Sequence, residues 1–116
     1  MVGADAEILK SSFHRCTSAA WGGAVWAAEL ARYPFTGLQA SVVVSESDFT
    51  NNSAVFGGAM AVSAKAVTQV DSSRFHGNEA TTGGAASVKS EASFTVIASH
   101  FTSNRAGDSG GVYIYV

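Results

Sequence analysis

A single pattern recurs along the chain and constrains its fold more than any other feature: Phe, Asn three residues later, Ala two further on, and then Gly-Gly. The two clearest copies run through Phe49, Asn52, Ala54 and Gly57-Gly58, and through Phe75, Asn78, Ala80 and Gly83-Gly84. A third copy holds Phe101 and Asn104, and it is interpreted as having one extra residue before Gly110-Gly111. A weaker first copy holds Phe13, with Cys16 at the position of the Asn. Such a repeat predicts stacked units, because one unit cannot bury its apolar face alone.

Columns of equivalent residues also precede each Phe of the repeat. Five residues before it stand Ile8, Val44, Val70 and Val96, and two residues before it stand Ser11, Ser47, Ser73 and Ser99. Polar or variable residues alternate with the apolar ones, which is the period of a strand with one buried face. Spacing of 3.6 residues does not persist over a helix's length in the last three copies, which excludes helical solenoids. We therefore predict an all-β, parallel β-helix of about four rungs, with one loop insertion near 27–39.

The repeated columns have physical roles in such a coil. We expect the Phe column to stack inside, and the Asn column to form a ladder of amide hydrogen bonds at a bend. Gly-Gly suits a sharp corner that a residue with a Cβ atom enters at a cost. The two columns together are Phe13, Phe49, Phe75 and Phe101, and Asn52, Asn78 and Asn104.

Composition limits the class of protein. The 116 residues fit a single domain, 1–116, and we expect it to be a piece of a longer solenoid. An apolar fraction of 47% and a charged fraction of 14% argue against disorder. The net charge of −2 gives no basic footprint for nucleic acid, and no apolar run approaches the ~18 residues that span a bilayer. The single Cys16 cannot form an internal disulfide.

The motif Phe-x-x-Asn-x-Ala-x-x-Gly-Gly-Ala resembles the repeat of the polymorphic outer membrane proteins, the chlamydial adhesin-type surface proteins. Two copies match it well, from Phe49 to Ala59 and from Phe75 to Ala85. The third copy departs from it by the extra residue and by Val112 in place of Ala, and the first copy lacks the Asn. The resemblance implies a right-handed parallel β-helix in an extracellular or cell-surface location. It transfers no active site, because the shared residues form turns and core.

The first interval between repeats is longer than the others, and its excess lies between Trp26 and Ala40. Insertions in solenoids loop out from one face and often bind partners. Arg32, Tyr33 and Phe35 in this segment suit contact with a sugar or a protein, and the alternative is a loop that only covers core. Trp26 alternates with Ala24 and is expected on the buried face, whereas Trp21 is expected to be exposed.

One outward column carries groups that could do chemistry. Asp48, Arg74 and His100 precede the inward Phe residues, so they should lie on successive rungs ~5 Å apart. Polysaccharide lyases and epimerases of this architecture usually carry such a set, an acidic, a basic and an imidazole side chain, on one face. Ordinary cross-strand charge pairs explain the same residues. His14 and His76 share a column but lie two rungs apart, ~10 Å, which is too far to share one metal ion.

The sequence therefore favours a non-enzymatic surface solenoid segment with a structural or adhesive role and no cofactor or metal. Its expected partners are a surface protein, a glycan, or further copies that meet at open β-helix ends. The alternative is a carbohydrate-active β-helix that works through Asp48, Arg74 and His100 beside the insertion.

Overall fold

Strands in this protein pair with their counterparts one repeat away, and every pair is parallel. The computed structural model describes residues 5–28, 41–89 and 91–115. Within these residues the chain visits the same faces in the same order during each repeat, and each circuit is called a coil below. Coil 1 contains β1–β3, coil 2 β4–β7, coil 3 β8–β11 and coil 4 β12–β15, with the bounds given next.

The described residues form four sheets, and each coil contributes at most one strand to a sheet. The first sheet joins β1 (Asp5–Leu9), β4 (Ser41–Ser45), β8 (Val67–Asp71) and β12 (Ser93–Ile97). The second joins β2 (Ser12–His14), β5 (Asp48–Thr50), β9 (Arg74–His76) and β13 (His100–Thr102). The third joins β6 (Ser53–Phe56), β10 (Glu79–Thr82) and β14 (Arg105–Asp108), and coil 1 reaches it through single bridges from Thr17 and Trp21. The fourth joins β3 (Val25–Ala28), β7 (Met60–Ser63), β11 (Ala86–Lys89) and β15 (Val112–Tyr115).

The core lies inside the coils, because alternate residues of each strand point inward. It is built mainly from Ala and Val. In β4, Val42 and Val44 are buried while Val43 between them is exposed. Phe49 and Phe75 are the largest fully buried side chains of the described residues. Small side chains keep the interior narrow, so that opposite sheets approach each other closely.

Corners between the sheets use left-handed backbone. Gly57 has a φ of +67°, and a Cβ atom there would lie 1.9 Å from the carbonyl oxygen of Met60. Gly83 repeats this geometry in coil 3, but in coil 4 Ser109, with a φ of 49°, takes the position. Because Val112 pairs with Ala86 without a gap, the extra residue expected before Gly110-Gly111 does not exist. The Gly-Gly pair of that copy has instead moved one place along the corner.

The prediction of an all-β, parallel β-helix of four rungs is confirmed. The right-handed sense of the coil stays a prediction, and connections between parallel strands are right-handed in nearly all proteins. The predicted insertion, with Arg32, Tyr33 and Phe35, lies outside the described residues. No helix of the described ranges has the length and apolar character needed to cross a membrane.

Candidate functional site

The Phe column lies in the interior, so its rings hold neighbouring coils together. Phe13, Phe49, Phe75 and Phe101 stack in sequence, with ring centroids 4.9, 4.6 and 4.7 Å apart and interplanar angles of 10° or less. Stacked aromatic pairs of this kind contribute about 0.5–1.5 kcal/mol beyond the area that they bury. These rings are therefore structural, and the two inner ones, Phe49 and Phe75, are 0% exposed.

The Asn column forms a continuous ladder at the bend after the second sheet. The backbone N–H of Asn52 donates to Oδ1 of Asn78 at 3.0 Å, and that of Asn78 donates to Oδ1 of Asn104 at 3.0 Å. Nδ2 of Asn78 also donates to the carbonyl of Phe49 and to Oδ1 of Asn104. In coil 1 the ladder ends at Cys16, whose backbone N–H donates to Oδ1 of Asn52. Every polar atom of the Asn78 side chain is thus used in coil-to-coil contact.

The Ser column does the same work at the preceding bend. The backbone N–H groups of Ser11, Ser47 and Ser73 each donate to the hydroxyl of the Ser one coil further on, at 3.0–3.1 Å. Each hydroxyl in turn donates to a carbonyl two residues before it, as Ser73 does to Asp71. Two of the repeated polar columns therefore satisfy backbone groups.

Asp48, Arg74 and His100 lie in register on neighbouring strands of the second sheet, on its outer face. Nε of Arg74 is 3.1 Å from Oδ1 of Asp48, and their side chains are 61% and 46% exposed. The three residues line a shallow, open depression together with turn residues such as Glu46 and Ser72. Water reaches both partners, so the ion pair is worth less than about 1 kcal/mol, and the depression has no walls that would exclude water from a reacting bond.

A second surface cluster, in which Trp26 is exposed and the other members are half-buried, was not predicted from the sequence. It consists of Trp21, Trp26, Phe56 and Lys89, and is called the aromatic cluster below. The ring centroid of Trp21 lies 4.5 Å from that of Phe56 and 6.3 Å from that of Trp26, with interplanar angles of 23° and 16°. The ammonium of Lys89 lies 3.6 Å from the Phe56 ring centroid and 5.1 Å from the Trp21 ring centroid. Cations are attracted to the negative face of such rings.

The expectation that Trp26 is buried is wrong. Trp26 pairs with Ala61 on the outward side of the fourth sheet and is 59% exposed, while Trp21 is half-buried. The core face of β3 carries Val25 and Ala27 instead. The indole Nε1 of Trp26 donates to Oγ of Ser63 at 3.3 Å, which fixes the ring against the next coil.

No protein-family model matches this sequence, and comparison with curated proteins and with solved structures also finds no match. The likeness to polymorphic outer membrane protein repeats stays a prediction.

The histidines show one specific contact. Nδ1 of His76 lies 2.9 Å from Oγ1 of Thr102, its neighbour one coil further on. Among the described residues, no group of three or more His, Cys, Asp or Glu side chains is placed to hold a metal ion. The His76–Thr102 pair is an ordinary cross-strand hydrogen bond.

Proposed function

We propose that this protein is a non-enzymatic segment of an extracellular or cell-surface β-helix, with a structural or adhesive role. The observation that carries the proposal is the use made of the repeated polar residues. Both polar atoms of the Asn78 side chain form hydrogen bonds with the neighbouring coils, and the hydroxyls of the Ser column accept from backbone N–H groups at the other bend. Such a coil is a rigid support for the side chains on its outer faces.

The repeat itself supports a surface location through its likeness to polymorphic outer membrane proteins. Adhesive solenoids present side chains over long faces and need no enclosed cavity. The exposed side chains here, among them Trp26 and Arg74, project from sheets whose positions are fixed by the ladders. Partners proposed on this basis are a surface glycan or protein, or copies of the chain that stack end to end.

A second candidate is a carbohydrate-active β-helix. The observation that favours it is the register that places Asp48, Arg74 and His100 on three successive strands beside one depression. An acid or base catalyst gains from a desolvated setting, which raises the strength of its interactions with the transition state. The exposure of Asp48 and Arg74 makes this candidate the weaker of the two.

An assay for turnover separates the two candidates. The protein is incubated with neutral and anionic polysaccharides, and new reducing ends and unsaturated uronates are measured. We expect no turnover by the native chain. Turnover that is lost in both Asp48→Ala and His100→Ala, and retained in Thr50→Ala on the same sheet, would establish an enzyme and overturn the proposal.

A further inference from the structure

The aromatic cluster has an exposed face that its structural role leaves unused. Phe56 and Trp21 stack across two coils, and Lys89 lies over the Phe56 side of this stack. On the same sheet, Ala61 and Ser87 occupy outward positions of β7 and β11 and are nevertheless only 0% and 1% exposed. Trp26 differs from them, since 59% of it remains accessible.

The accessible indole is held in a fixed orientation. Its Nε1 donates to Oγ of Ser63, and its ring lies within 16° of the plane of Trp21. A side chain that is already ordered loses little rotamer entropy when a ligand binds. An exposed, ordered indole offers a flat apolar face with negative π density, which attracts slightly positive C–H groups. The C–H face of a pyranose ring has this character, and its hydroxyl groups remain in water at the rim.

A cation belongs to the same cluster and lies over the rings of Phe56 and Trp21, the neighbour of Trp26. The Lys89 ammonium is 5.1 Å from the Trp21 ring centroid, and Trp21 is 6.3 Å from Trp26, distances that one or two sugar rings span. Within the described part of the chain the only ion pair joins Arg74 to Asp48, so no carboxylate there neutralises Lys89. An anionic group on the ligand would pair with this ammonium, and the hydroxyl of Ser63 adds a polar contact beside it.

From this combination we propose that the aromatic cluster binds an acidic polysaccharide: a pyranose ring stacks on Trp26, and a uronate carboxylate pairs with Lys89. The proposal rests on the proposed function, because it names the ligand class that an adhesive coil would hold. A neutral glycan would not use the charge of Lys89. A polyanion held by charge alone would bind equally well beside other exposed cations, such as Lys65, and would not need Trp26.

Intrinsic fluorescence reads this site directly, because both Trp residues of the chain belong to the cluster. The probe is a size-defined oligogalacturonate, and its comparator is the same oligomer with every carboxylate methyl-esterified. We expect a saturable fluorescence change with the acid and at least tenfold weaker binding of the ester. Equal binding of acid and ester would overturn the carboxylate–Lys89 contact, and no saturable change with either would overturn the site.

Four variants test the named contacts. In Trp26→Ala the remaining fluorescence comes from Trp21, and it should show no saturable change. Lys89→Gln should weaken binding of the acid to the level of the ester. Lys89→Arg keeps the charge and should retain binding, and Lys65→Gln, the matched control, should leave it unchanged. Thermal unfolding verifies that each variant is folded. Retained binding in Trp26→Ala, or equal losses in Lys65→Gln and Lys89→Gln, would overturn the proposal. Such a failure is distinct from failure of the proposed function, which the turnover assay decides.

Discussion

Asn78 shows at the scale of one residue why the repeat keeps this side chain. Its Oδ1 accepts from the N–H and Nδ2 of Asn52, and its Nδ2 donates to the carbonyl of Phe49 and to Oδ1 of Asn104. The residue is fully buried, so water cannot replace any of these partners. No other side chain of this size supplies an acceptor on one side and two donors on the other.

The first prediction follows from that geometry. Asn78→Asp preserves the shape and the accepting oxygen but puts an acceptor against the Phe49 carbonyl and Oδ1 of Asn104. We expect a loss of about 3 kcal/mol or more of unfolding free energy near neutral pH, measured by urea denaturation. Burial raises the pKa of the introduced carboxyl in the folded state, so the folded chain binds its proton more tightly than the unfolded chain. The deficit should therefore shrink as the pH falls towards about 4.

Asn51→Asp is the matched control for this prediction, because Asn51 is exposed at the adjacent turn with a φ of 55°, which Asp also tolerates. It should change stability by less than about 0.5 kcal/mol. Equal effects at the two positions, or a deficit in Asn78→Asp that grows as the pH falls, would contradict the ladder as described.

At the scale of an element, the backbone of the turn from the fourth sheet to the first is strained, because residues other than glycine adopt left-handed conformations there. Ala64 and Lys65, between β7 and β8, have φ values of 50° and 62°, and the turn closes with a hydrogen bond from Ala66 N–H to the carbonyl of Ser63. Two successive residues with positive φ suit Asn-Gly, because a Cβ atom costs about 1–2 kcal/mol in the left-handed region.

Lys65→Gly should therefore stabilise the protein by about 1 kcal/mol, even though glycine usually lowers stability. Gln69→Gly, at an exposed position inside β8, is the control and should destabilise by about 0.5–1 kcal/mol. Urea midpoints of the two variants should move in opposite directions. Movement of both to lower urea would show that the turn does not carry this strain.

Strands could be predicted from the sequence because each is coded by residues next to one another, as in the alternation of Val42, Val43 and Val44. The corner of coil 4 could not, because Ser109 adopts the left-handed conformation that Gly57 and Gly83 adopt elsewhere, and this disguises the register. The aromatic cluster was missed because Trp21, Phe56 and Lys89 are distant in sequence and meet only through coil stacking. The outward direction of Trp26 follows from its pairing with Ala61, which local alternation with Ala24 does not reveal.

At the scale of the whole molecule, each coil is stabilised by the coils beside it, as in other solenoids. Phe75 is stacked on both faces, by Phe49 and Phe101, and is 0% exposed. Among the residues that the structure describes, Phe13 stacks on Phe49 alone, and it is half-buried. The cost of shortening a Phe side chain should therefore depend on the number of coils that cover it.

Phe75→Leu should cost about 2–3 kcal/mol of unfolding free energy, and Phe13→Leu about half of that, because fewer packing and ring contacts are lost.

The double variant of Phe75 and Phe101 should cost less than the sum of its single variants, since both single changes remove the same ring–ring contact. The difference should be about 0.5–1.5 kcal/mol. Phe13 and Phe101 are three coils apart, so their double variant should be additive within about 0.5 kcal/mol. Coupling between Phe13 and Phe101 as large as that between Phe75 and Phe101 would mean that the coils respond as one inseparable core rather than through their nearest neighbours.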